Sequence, residues 1–280
     1  MTWTLTLGDC LEGMRAMADK SVDHTIMDPP FEEEAHSKGR RVLVETAAES
    51  KHRAATGETR GRGCVEKQIA YPPITEAERA ASAMQVARLT RRWILVFCQS
   101  EAAHKWRACL EAAGAQYIRT GVYWKADAQP QYSGDRPGVG WEAIVIAHGM
   151  PRTGRTRWNG GGKCARWDAS ADARFGKKLA VDGQKPERLM VQLVEDFTEV
   201  GDLVLDPFTG AGTTGVACLK TGRRFVGFER LPAHHAIATE RLRTTTLQER
   251  LAFPPMKQLT LSSDLDLPSP PPRRDRRGHD

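Results

Sequence analysis

The sequence predicts an α/β fold, in which strands and helices alternate along the chain. Its hydrophobic periodicity changes repeatedly between the spacing of a strand and that of a helix, which is the pattern of this fold class. Residues 93–98 (WILVFC) form a continuous apolar run, as expected of a strand buried on both faces of a parallel sheet. A glycine-rich segment at 206–215 also lies between a predicted strand and a predicted helix.

The first half of the chain contains most of the predicted strands. These strands are expected at 2–7, 22–27, 93–98, 117–124 and 142–147. Helices are expected at 11–18, 75–89 and 101–113. Thr75 is followed three residues later by Glu78, which indicates a capping box at the start of the second helix. Gly114 follows the third helix and is expected to end it.

The second half of the chain predicts a helix that begins near Pro186, because proline is favoured in the first turn of a helix. Further strands are expected at 203–205 and 224–228, and further helices at 214–221 and 232–242. We therefore expect one domain over residues 1–253, with insertions at 32–71 and 150–180. The first insertion has little periodicity, which predicts a long flexible segment. Residues 254–280 are polar, basic and proline-rich, which predicts a disordered tail.

Composition excludes several classes of protein. The 280 residues are 40% hydrophobic and 27% charged, as in globular proteins, and no apolar run is long enough to span a membrane. The N-terminal residues lack the pattern of a signal peptide. Six cysteines are scattered without CxxC spacing, which argues against a disulfide framework or a zinc site and favours the reducing cytoplasm. No metal site is predicted.

The net charge of +6 is concentrated in one stretch. Residues 150–178 contain eight Lys or Arg and two acidic residues, together with Trp158, Trp167 and three consecutive glycines. A basic segment of this kind is expected of a mobile loop that contacts nucleic-acid phosphates, although a solvated surface loop is the alternative. The candidate DNA contacts are Arg152, Arg155, Arg157, Lys163 and Arg166.

The segment Asp206-Pro-Phe-Thr-Gly-Ala-Gly-Thr-Thr-Gly is typical of a cofactor-binding loop. Its glycines permit a tight turn and a close approach of the backbone to a ligand at the start of a helix. Glu229 ends the next predicted strand, where a carboxylate can accept hydrogen bonds from both ribose hydroxyls. This pattern alone also fits NAD, so it leaves a nicotinamide-dependent dehydrogenase open.

A second motif, Asp28-Pro29-Pro30-Phe31, follows the strand predicted at 22–27. Ligands of open α/β sheets bind at the carboxyl ends of the strands. Pro30 lacks an N–H group and biases Pro29 toward an extended backbone, so the Pro29 carbonyl and the Asp28 carboxylate can converge on one amino group. Phe31 offers a flat surface on which a base can stack. A dehydrogenase has no use for this arrangement, and a strand-ending turn is the structural alternative.

The two motifs, in this order, resemble the β-group of DNA amino-methyltransferases, and the resemblance extends from about Leu5 to Leu242. Residues 7–10 (LGDC) and 21–23 (SVD) resemble the opening of that family, and 183–186 (GQKP) resembles its Thr-Gln-Lys-Pro segment. Three features differ from the family. Phe31 replaces the commoner tyrosine, and Asp182-Gly183 stands where the family has His-Pro-Thr. The target-recognition region is also small, and its candidates are the 150–178 stretch, the 32–70 insertion, or both.

The resemblance implies a Rossmann-like class I methyltransferase fold with a mostly parallel, twisted sheet, helices on both faces and a circularly permuted order of motifs. It implies S-adenosylmethionine as the cofactor, with Asp206 and Lys185 at its methionine end, Glu229 at its ribose, and Asp9 and Cys10 near its adenine. The complete set of expected cofactor-binding residues is Asp9, Cys10, Lys185, Asp206, Phe208, Gly210, Gly212, Thr213, Thr214 and Glu229.

The resemblance further implies a DNA methyltransferase in which Asp28, Pro29, Pro30 and Phe31 act on the exocyclic amine of a flipped base. Adenine N6 is favoured, because aspartate at the first motif position is commoner for adenine and serine for cytosine N4. Cytosine N4 is the alternative, and an RNA or protein methyltransferase or a non-catalytic DNA-binding protein is more distant. Double-stranded DNA is the expected partner, in a prokaryotic or phage-encoded system. A homodimer and a cognate restriction enzyme stay open.

Overall fold

The computed structural model describes residues 2–33, 40–44, 63–67, 71–126, 128, 137–149, 157–170, 180–181 and 183–252. Its strands are β1 (Trp3–Leu7), β2 (His24–Met27), β3 (Arg40–Val44), β4 (Gly63–Lys67), β5 (Trp93–Cys98), β6 (Gln116–Lys125), β7 (Trp141–His148), β8 (Arg166–Ala169), β9 (Leu203–Asp206) and β10 (Arg224–Glu229). Its α-helices are α1 (Cys10–Arg15), α2 (Glu76–Leu89), α3 (Ala103–Ala112), α4 (Glu187–Phe197), α5 (Thr213–Lys220) and α6 (Pro232–Ala252).

Eight strands form one sheet in the order β1-β10-β9-β2-β5-β7-β6-β8. The strands from β1 to β5 in this order pair in parallel, and β7 is antiparallel to both of its neighbours. Strands β2 and β9 are neighbours in the sheet, with Thr25 opposite Leu205, although they are far apart in the sequence. The mostly parallel sheet and the permuted order of motifs are therefore confirmed.

Strand β5 shows how the two faces of the sheet are covered. All six of its residues are buried, as the continuous apolar run predicted. Trp93, Leu95 and Phe97 pack in one hydrophobic cluster with α4 and α5, because alternate strand residues point to the same face. Ile94, Val96 and Cys98 pack in a second cluster with α1, α2 and α3. Helices on both faces thus bury a continuous parallel strand between them.

The helix boundaries follow local signals at most ends. Thr75 and Glu78 form the predicted capping box at the start of α2. Gly114 follows α3 with a φ of 84°, which is the left-handed region that glycine adopts freely. Helix α6 extends ten residues beyond its expected end at Leu242, and the Trp3 indole donates to the Thr246 hydroxyl across to β1. No helix in the described part of the chain is long and apolar enough to cross a membrane.

Two predicted loops contain strands. Within 32–71, strands β3 and β4 form a separate antiparallel pair, so the expectation of a wholly flexible insertion is wrong there. Within 150–180, strand β8 joins the edge of the main sheet beside β6. Trp167 is buried there and its indole donates to the Asp196 carboxylate at 2.7 Å, so a mobile loop is wrong for β8. Residues 150–156, 171–179, 182 and the predicted tail 254–280 lie outside the described residues.

A buried ion pair fixes the loop that follows β2. Glu32 and Arg79 are 5% and 4% exposed, and both oxygens of the Glu32 carboxylate accept from one guanidinium nitrogen, at 2.7 and 2.6 Å. The ammonium of Lys105 lies 3.6 Å from the same carboxylate. The backbone N–H of Ile74 donates to the Phe31 carbonyl at 3.1 Å. The segment 28–32 is therefore tied to α2 and α3 rather than free to move.

We expect Arg79→Met to lower the free energy of unfolding by about 3–5 kcal/mol, because it leaves the buried Glu32 carboxylate without its main counter-charge. Urea unfolding followed by circular dichroism measures this change. The matched control is Arg107→Met, which breaks the exposed pair with Glu111 and should cost at most about 1 kcal/mol. Equal losses in both variants would contradict the anchoring role of the buried pair.

Candidate active site

A cavity opens at the carboxyl ends of the parallel strands, between the loops that follow β1, β2, β9 and β10. It brings together eleven of the residues singled out from the sequence. These are Asp9, Cys10, Asp28, Pro30, Lys185, Asp206, Phe208, Gly210, Thr213, Thr214 and Glu229. Pro29, Phe31 and Gly212 lie in the same loops but do not line the cavity. Tyr71, Ser82, Phe97 and His234 also line it, although neither sequence motif includes them.

The glycine-rich loop between β9 and α5 is held by Asp206. One oxygen of this carboxylate accepts from the Phe208 backbone N–H at 3.0 Å, and the other accepts from the Thr214 hydroxyl at 2.6 Å. Gly210 has a φ of 53°, and a Cβ at this position would find only the Phe208 carbonyl, at 4.0 Å. Gly212 has a φ of 78°, and a Cβ there would lie 3.0 Å from the Ala238 methyl group. The loop thus needs glycine for its backbone conformation and its close packing.

Glu229, at the end of β10, crosses to the same loop. One of its oxygens accepts from the Gly210 N–H at 2.8 Å, and the other accepts from the Leu231 N–H at 2.8 Å. A carboxylate has about four acceptor positions, so two stay available on this side chain. A carboxylate of this kind, fixed by backbone donors beside a glycine turn, fits the hydroxyl pair of a ribose.

Asp9 lies beside Glu229 because β1 and β10 are parallel neighbours. Leu7 is opposite Glu229 in the register, and the Gly8 N–H donates to the Glu229 carbonyl at 2.9 Å. Asp9 caps α1 and accepts from the N–H groups of residues 11 and 12. Asp9 and Cys10 therefore border the cavity on the side of Glu229, and their expected place near the adenine of a cofactor stays a prediction.

The two oxygens of the Asp28 carboxylate have different surroundings. Oδ2 lies 2.5 Å from the Lys185 ammonium. Oδ1 is buried and has no hydrogen-bond partner among the described residues. Pro29 is buried behind Asp28, and the Phe31 ring centre lies 5.7 Å from the Lys185 ammonium. Asp28 thus has one acceptor atom without a donor among the described residues, and the Lys185 ammonium lies between this carboxylate and the face of an aromatic ring.

Lys185 connects Asp28 to two residues that the sequence analysis missed. Its ammonium lies 3.1 Å from Oε2 of Glu142, and the Lys125 ammonium lies 2.6 Å from Oε1 of Glu142. Glu142 is a charged residue within the otherwise apolar strand β7, and that was the signal available in the sequence. The predicted place of Lys185 at the methionine end of a cofactor stays a prediction, and its observed partners are Asp28 and Glu142.

The two carboxylates that flank Lys185 have opposite pKa shifts. Burial raises the pKa of Asp28, and the negative charge of Glu142 adds to this effect, while Lys185 opposes it. Burial would raise the pKa of Glu142 too, but the two lysines outweigh it and lower that pKa. Burial would lower the pKa of Lys185, but Asp28 and Glu142 together raise it. The environment therefore favours the ionised form of Glu142 and disfavours that of Asp28.

Asp206 is the other perturbed acid of the cavity. Burial raises its pKa to about 7, and the hydrogen bonds from Thr214 and Phe208 only partly offset this shift. The negative charges of Asp28 and Glu229 act in the same direction as burial. A cationic ligand bound beside Asp206 would favour its ionised form.

Two of the three basic residues that the structure describes in this stretch pair with acids away from the cavity. Arg157 pairs with Glu199 at 3.0 Å, and Lys163 pairs with Asp196 at 2.6 Å. Both acids lie near the turn that leads from α4 into β9, at the end of the sheet opposite to Asp206. Their placement does not favour the predicted DNA contacts. Arg166 is exposed on β8 and its guanidinium lies 5.4 Å from the Trp124 ring centre. Arg152 and Arg155 lie outside the described residues.

Comparison with known proteins agrees with this architecture. Residues 167–240 match the family model N6_N4_Mtase, described as DNA methylase. The chain is 46% identical over 59 residues to the type II methyltransferase M2.DpnII of Streptococcus pneumoniae, a match that covers 21% of this chain and 22% of that protein. It is 30% identical over 136 residues to the type II methyltransferase M.XycI of Xanthomonas campestris pv. cyanopsidis, covering 45% and 44%. The matches thus span less than half of either relative.

Solved structures share the whole fold at low identity. The M1.HpyAVI complex with SAM (S-adenosylmethionine) superposes with a TM-score of 0.60 at 20% identity, over 86% of this chain and 99% of that one. The cytosine-N4-specific PvuII DNA methyltransferase superposes with a TM-score of 0.61 at 15% identity, over 90% and 93%. The predicted Rossmann-like class I fold and the resemblance to β-group amino-methyltransferases are confirmed. The predicted enzyme class and cofactor agree with these matches.

We expect the stability of the chain to depend on the protonation of Asp206. The folded state binds this proton more tightly than the unfolded chain, so the stabilisation is complete below the ordinary pKa of 3.8 and is lost as pH rises through about 7. Asp206→Asn removes this loss, so its free energy of unfolding should rise relative to the wild type between about pH 4 and about pH 8. Urea unfolding at both pH values measures it.

The exposed Asp168 of β8 provides the matched control, because Asp168→Asn makes the same chemical change away from the cavity. The difference between this variant and the wild type should not change with pH over the same range. A constant difference for Asp206→Asn as well would show that the buried carboxyl group does not titrate as described.

Proposed function

We propose that this chain is a DNA amino-methyltransferase that transfers a methyl group from S-adenosylmethionine to the exocyclic amine of a base, with adenine N6 as the favoured acceptor. The observation that carries the proposal is the adjacency of two loops. Parallel pairing of β2 with β9 sets the Asp28 carboxylate, with its unpartnered Oδ1, beside the glycine loop that starts at Asp206.

The residues around the cavity fit the proposed cofactor. Glu229 would accept from the ribose hydroxyls, Asp9 and Cys10 would lie near the adenine, and the backbone at Gly210 would allow close approach. Asp206, whose pKa is raised by burial, would interact favourably with the positively charged amino group at the methionine end of the cofactor. The bound cofactor would supply an already activated sulfonium methyl group, so the transfer needs no covalent enzyme intermediate.

The loop after β2 would orient the acceptor amine. Asp28 Oδ1 and the Pro29 carbonyl would each accept a hydrogen bond from the amine, which directs the nitrogen lone pair toward the methyl donor. The methyl–sulfur bond would break as the methyl–nitrogen bond forms, and the proton that the methylated nitrogen then loses would pass to Asp28. Phe31 would stack on the base, which must be flipped out of the duplex to reach the cavity. Catalysis on this account is largely positioning of two reactants.

Four of the six cysteines favour an amine over a carbon acceptor. Methylation of cytosine C5 requires a thiolate nucleophile, and burial raises the pKa values of the Cys10 and Cys98 thiols to about 12. Burial also raises the pKa values of the Cys109 and Cys218 thiols. These thiols are protonated at neutral pH, whereas an amine acceptor needs none of them.

Cytosine N4 is the second candidate acceptor, because the cytosine-N4-specific PvuII DNA methyltransferase shares the fold over most of its length. A dehydrogenase would use the glycine loop and Glu229 but would leave Asp28 and its lysine without a role. Double-stranded DNA is the proposed partner, and the cytoplasm of a bacterium or a phage-infected cell is the proposed location. A homodimer and a cognate restriction enzyme belong to the same proposal.

The proposal is tested with deuterium-labelled S-adenosylmethionine and methylation-free genomic DNA, followed by nucleoside mass spectrometry. We expect labelled N6-methyladenine from the wild type and none from Asp28→Ala, which removes the acceptor of the amine protons. Asp19→Ala changes an exposed aspartate outside the cavity and should retain the wild-type rate. Labelled N4-methylcytosine would select the second acceptor, and label only in added RNA or protein would contradict DNA as substrate.

Cofactor identity is tested separately by calorimetry. We expect the wild type to bind S-adenosylmethionine and not NAD, and Asp28→Ala to bind it with similar affinity. Glu229→Gln should weaken binding roughly 10- to 100-fold, because it removes a charged acceptor of hydrogen bonds. Glu111→Gln, at an exposed position of α3, is the matched control. Binding of NAD in preference to S-adenosylmethionine would contradict the proposal.

A further inference from the structure

We propose that Glu142 and Lys125 are positioning residues, which act through Lys185 to hold the Asp28 carboxylate in the orientation that receives the acceptor amine. This inference rests on the proposed function for its kinetic consequence. It deepens that function by assigning roles to two residues outside the sequence motifs.

The four side chains form an unbroken chain of ion pairs. Lys125 lies 2.6 Å from Oε1 of Glu142, Lys185 lies 3.1 Å from Oε2 of Glu142, and Lys185 lies 2.5 Å from Oδ2 of Asp28. Oε1 of Glu142 and Oδ2 of Asp28 each face a lysine at close range, whereas Oε2 of Glu142 and Oδ1 of Asp28 are buried without a hydrogen-bond partner among the described residues. Because Lys185 holds Oδ2, rotation of the Asp28 carboxylate is restricted and Oδ1 is the atom left for a ligand.

The direction of strand β7 explains how Glu142 comes to lie among these ion pairs. Strand β7 is antiparallel to β5 and β6, so its first residues lie at the edge where the parallel strands end. Tyr123 of β6 is opposite Glu142, and Lys125 lies two residues further along the same face. Diagonal neighbours on one face of an antiparallel pair are within reach of long side chains. The Lys125–Glu142 pair is therefore set by the register of β6 and β7.

Because these four side chains are largely buried, the charge of each one affects the others. The side chains of Lys185 and Glu142 are 10% and 9% exposed, and two ammonium groups balance two carboxylates. The Lys185 ammonium also lies 5.0 Å from the Phe97 ring centre and 5.7 Å from that of Phe31. Removal of one charge in a buried network leaves its neighbour uncompensated. Removal of the charge at Glu142 or Lys125 should therefore change the electrostatic environment of the Asp28 carboxylate.

The groups that face Asp28 predict the sign of each change. Lys185 and Lys125 lower its pKa, and Glu142 raises it. Asp206 on β9 and the Cys98 thiol on β5 also interact with it. Loss of the negative charge at Glu142 should therefore lower the Asp28 pKa, and loss of the positive charge at Lys125 should raise it. Opposite shifts from two neighbouring residues are not expected of a general loss of stability.

The first measurement is a titration of the Asp28 carboxyl carbon by NMR in protein labelled with ¹³C-aspartate, with the signal assigned by Asp28→Asn. In Glu142→Gln the signal should titrate at lower pH than in the wild type, and in Lys125→Met at higher pH. Glu111→Gln, which neutralises an exposed glutamate on α3, should leave the titration unchanged. Shifts in the same direction, or no shift in either variant, would overturn the inference.

The second measurement is the rate of methyl transfer. Glu142→Gln and Lys125→Met should each lower kcat roughly 10- to 100-fold with little change in the KM for the cofactor, because the amine is less well aligned. Lys125→Arg keeps the charge and should restore most of the rate. An unchanged kcat in both variants would contradict the positioning role. If the wild-type protein transfers no methyl group, the proposed function is contradicted. The titration of the Asp28 carboxyl carbon would then still test whether Glu142 and Lys125 act on Asp28 through Lys185.

Discussion

The parallel pairing of β2 with β9 is the constraint on which the candidate site depends, because it joins two motifs that are far apart in the sequence. Thr25 lies opposite Leu205, so both strands end at one edge of the sheet. The loop that begins at Asp28 and the glycine loop that begins at Asp206 must then border one cavity. Strands β10 and β1 continue the same parallel order and add Glu229 and Asp9 to that edge.

This arrangement concentrates negative charge. Three carboxyl groups, Asp28, Asp206 and Glu229, line one cavity. A fourth, Glu142, lies 3.1 Å from the cavity residue Lys185, because the antiparallel strand β7 begins at the edge where the parallel strands end. Each is compensated differently: Glu229 by backbone N–H groups, Glu142 by two lysines, Asp28 by Lys185, and Asp206 by hydrogen bonds from Thr214 and Phe208 together with a pKa that burial raises to about 7. Such a surface suits a cationic ligand, which supplies positive charge to the carboxylates, and an amine, which supplies hydrogen-bond donors.

The described basic residues of the 150–178 stretch lie at two places in the fold. A net charge of +6 is compatible with a polyanionic partner, but the structure ties Arg157 and Lys163 to acids at the opposite end of the sheet. Arg166 lies on the edge strand β8, whose last residues run toward the cavity side of β6. The described part of the basic stretch is thus an element of the fold, with Arg166 exposed on its edge strand.

The sequence by itself determined most elements and both motifs, because strand and helix periodicity, caps and glycine turns are local properties of the chain. It predicted β5, the capping box of α2, and ten residues that the cavity brings together with Asp28. Only the tertiary structure decided the pairing of β8 with β6, the ion-pair chain through Glu142 and Lys125, and the position of Arg157. The physical reason is that these features depend on strand register and on contacts between distant residues, which no local pattern of hydrophobicity or charge records.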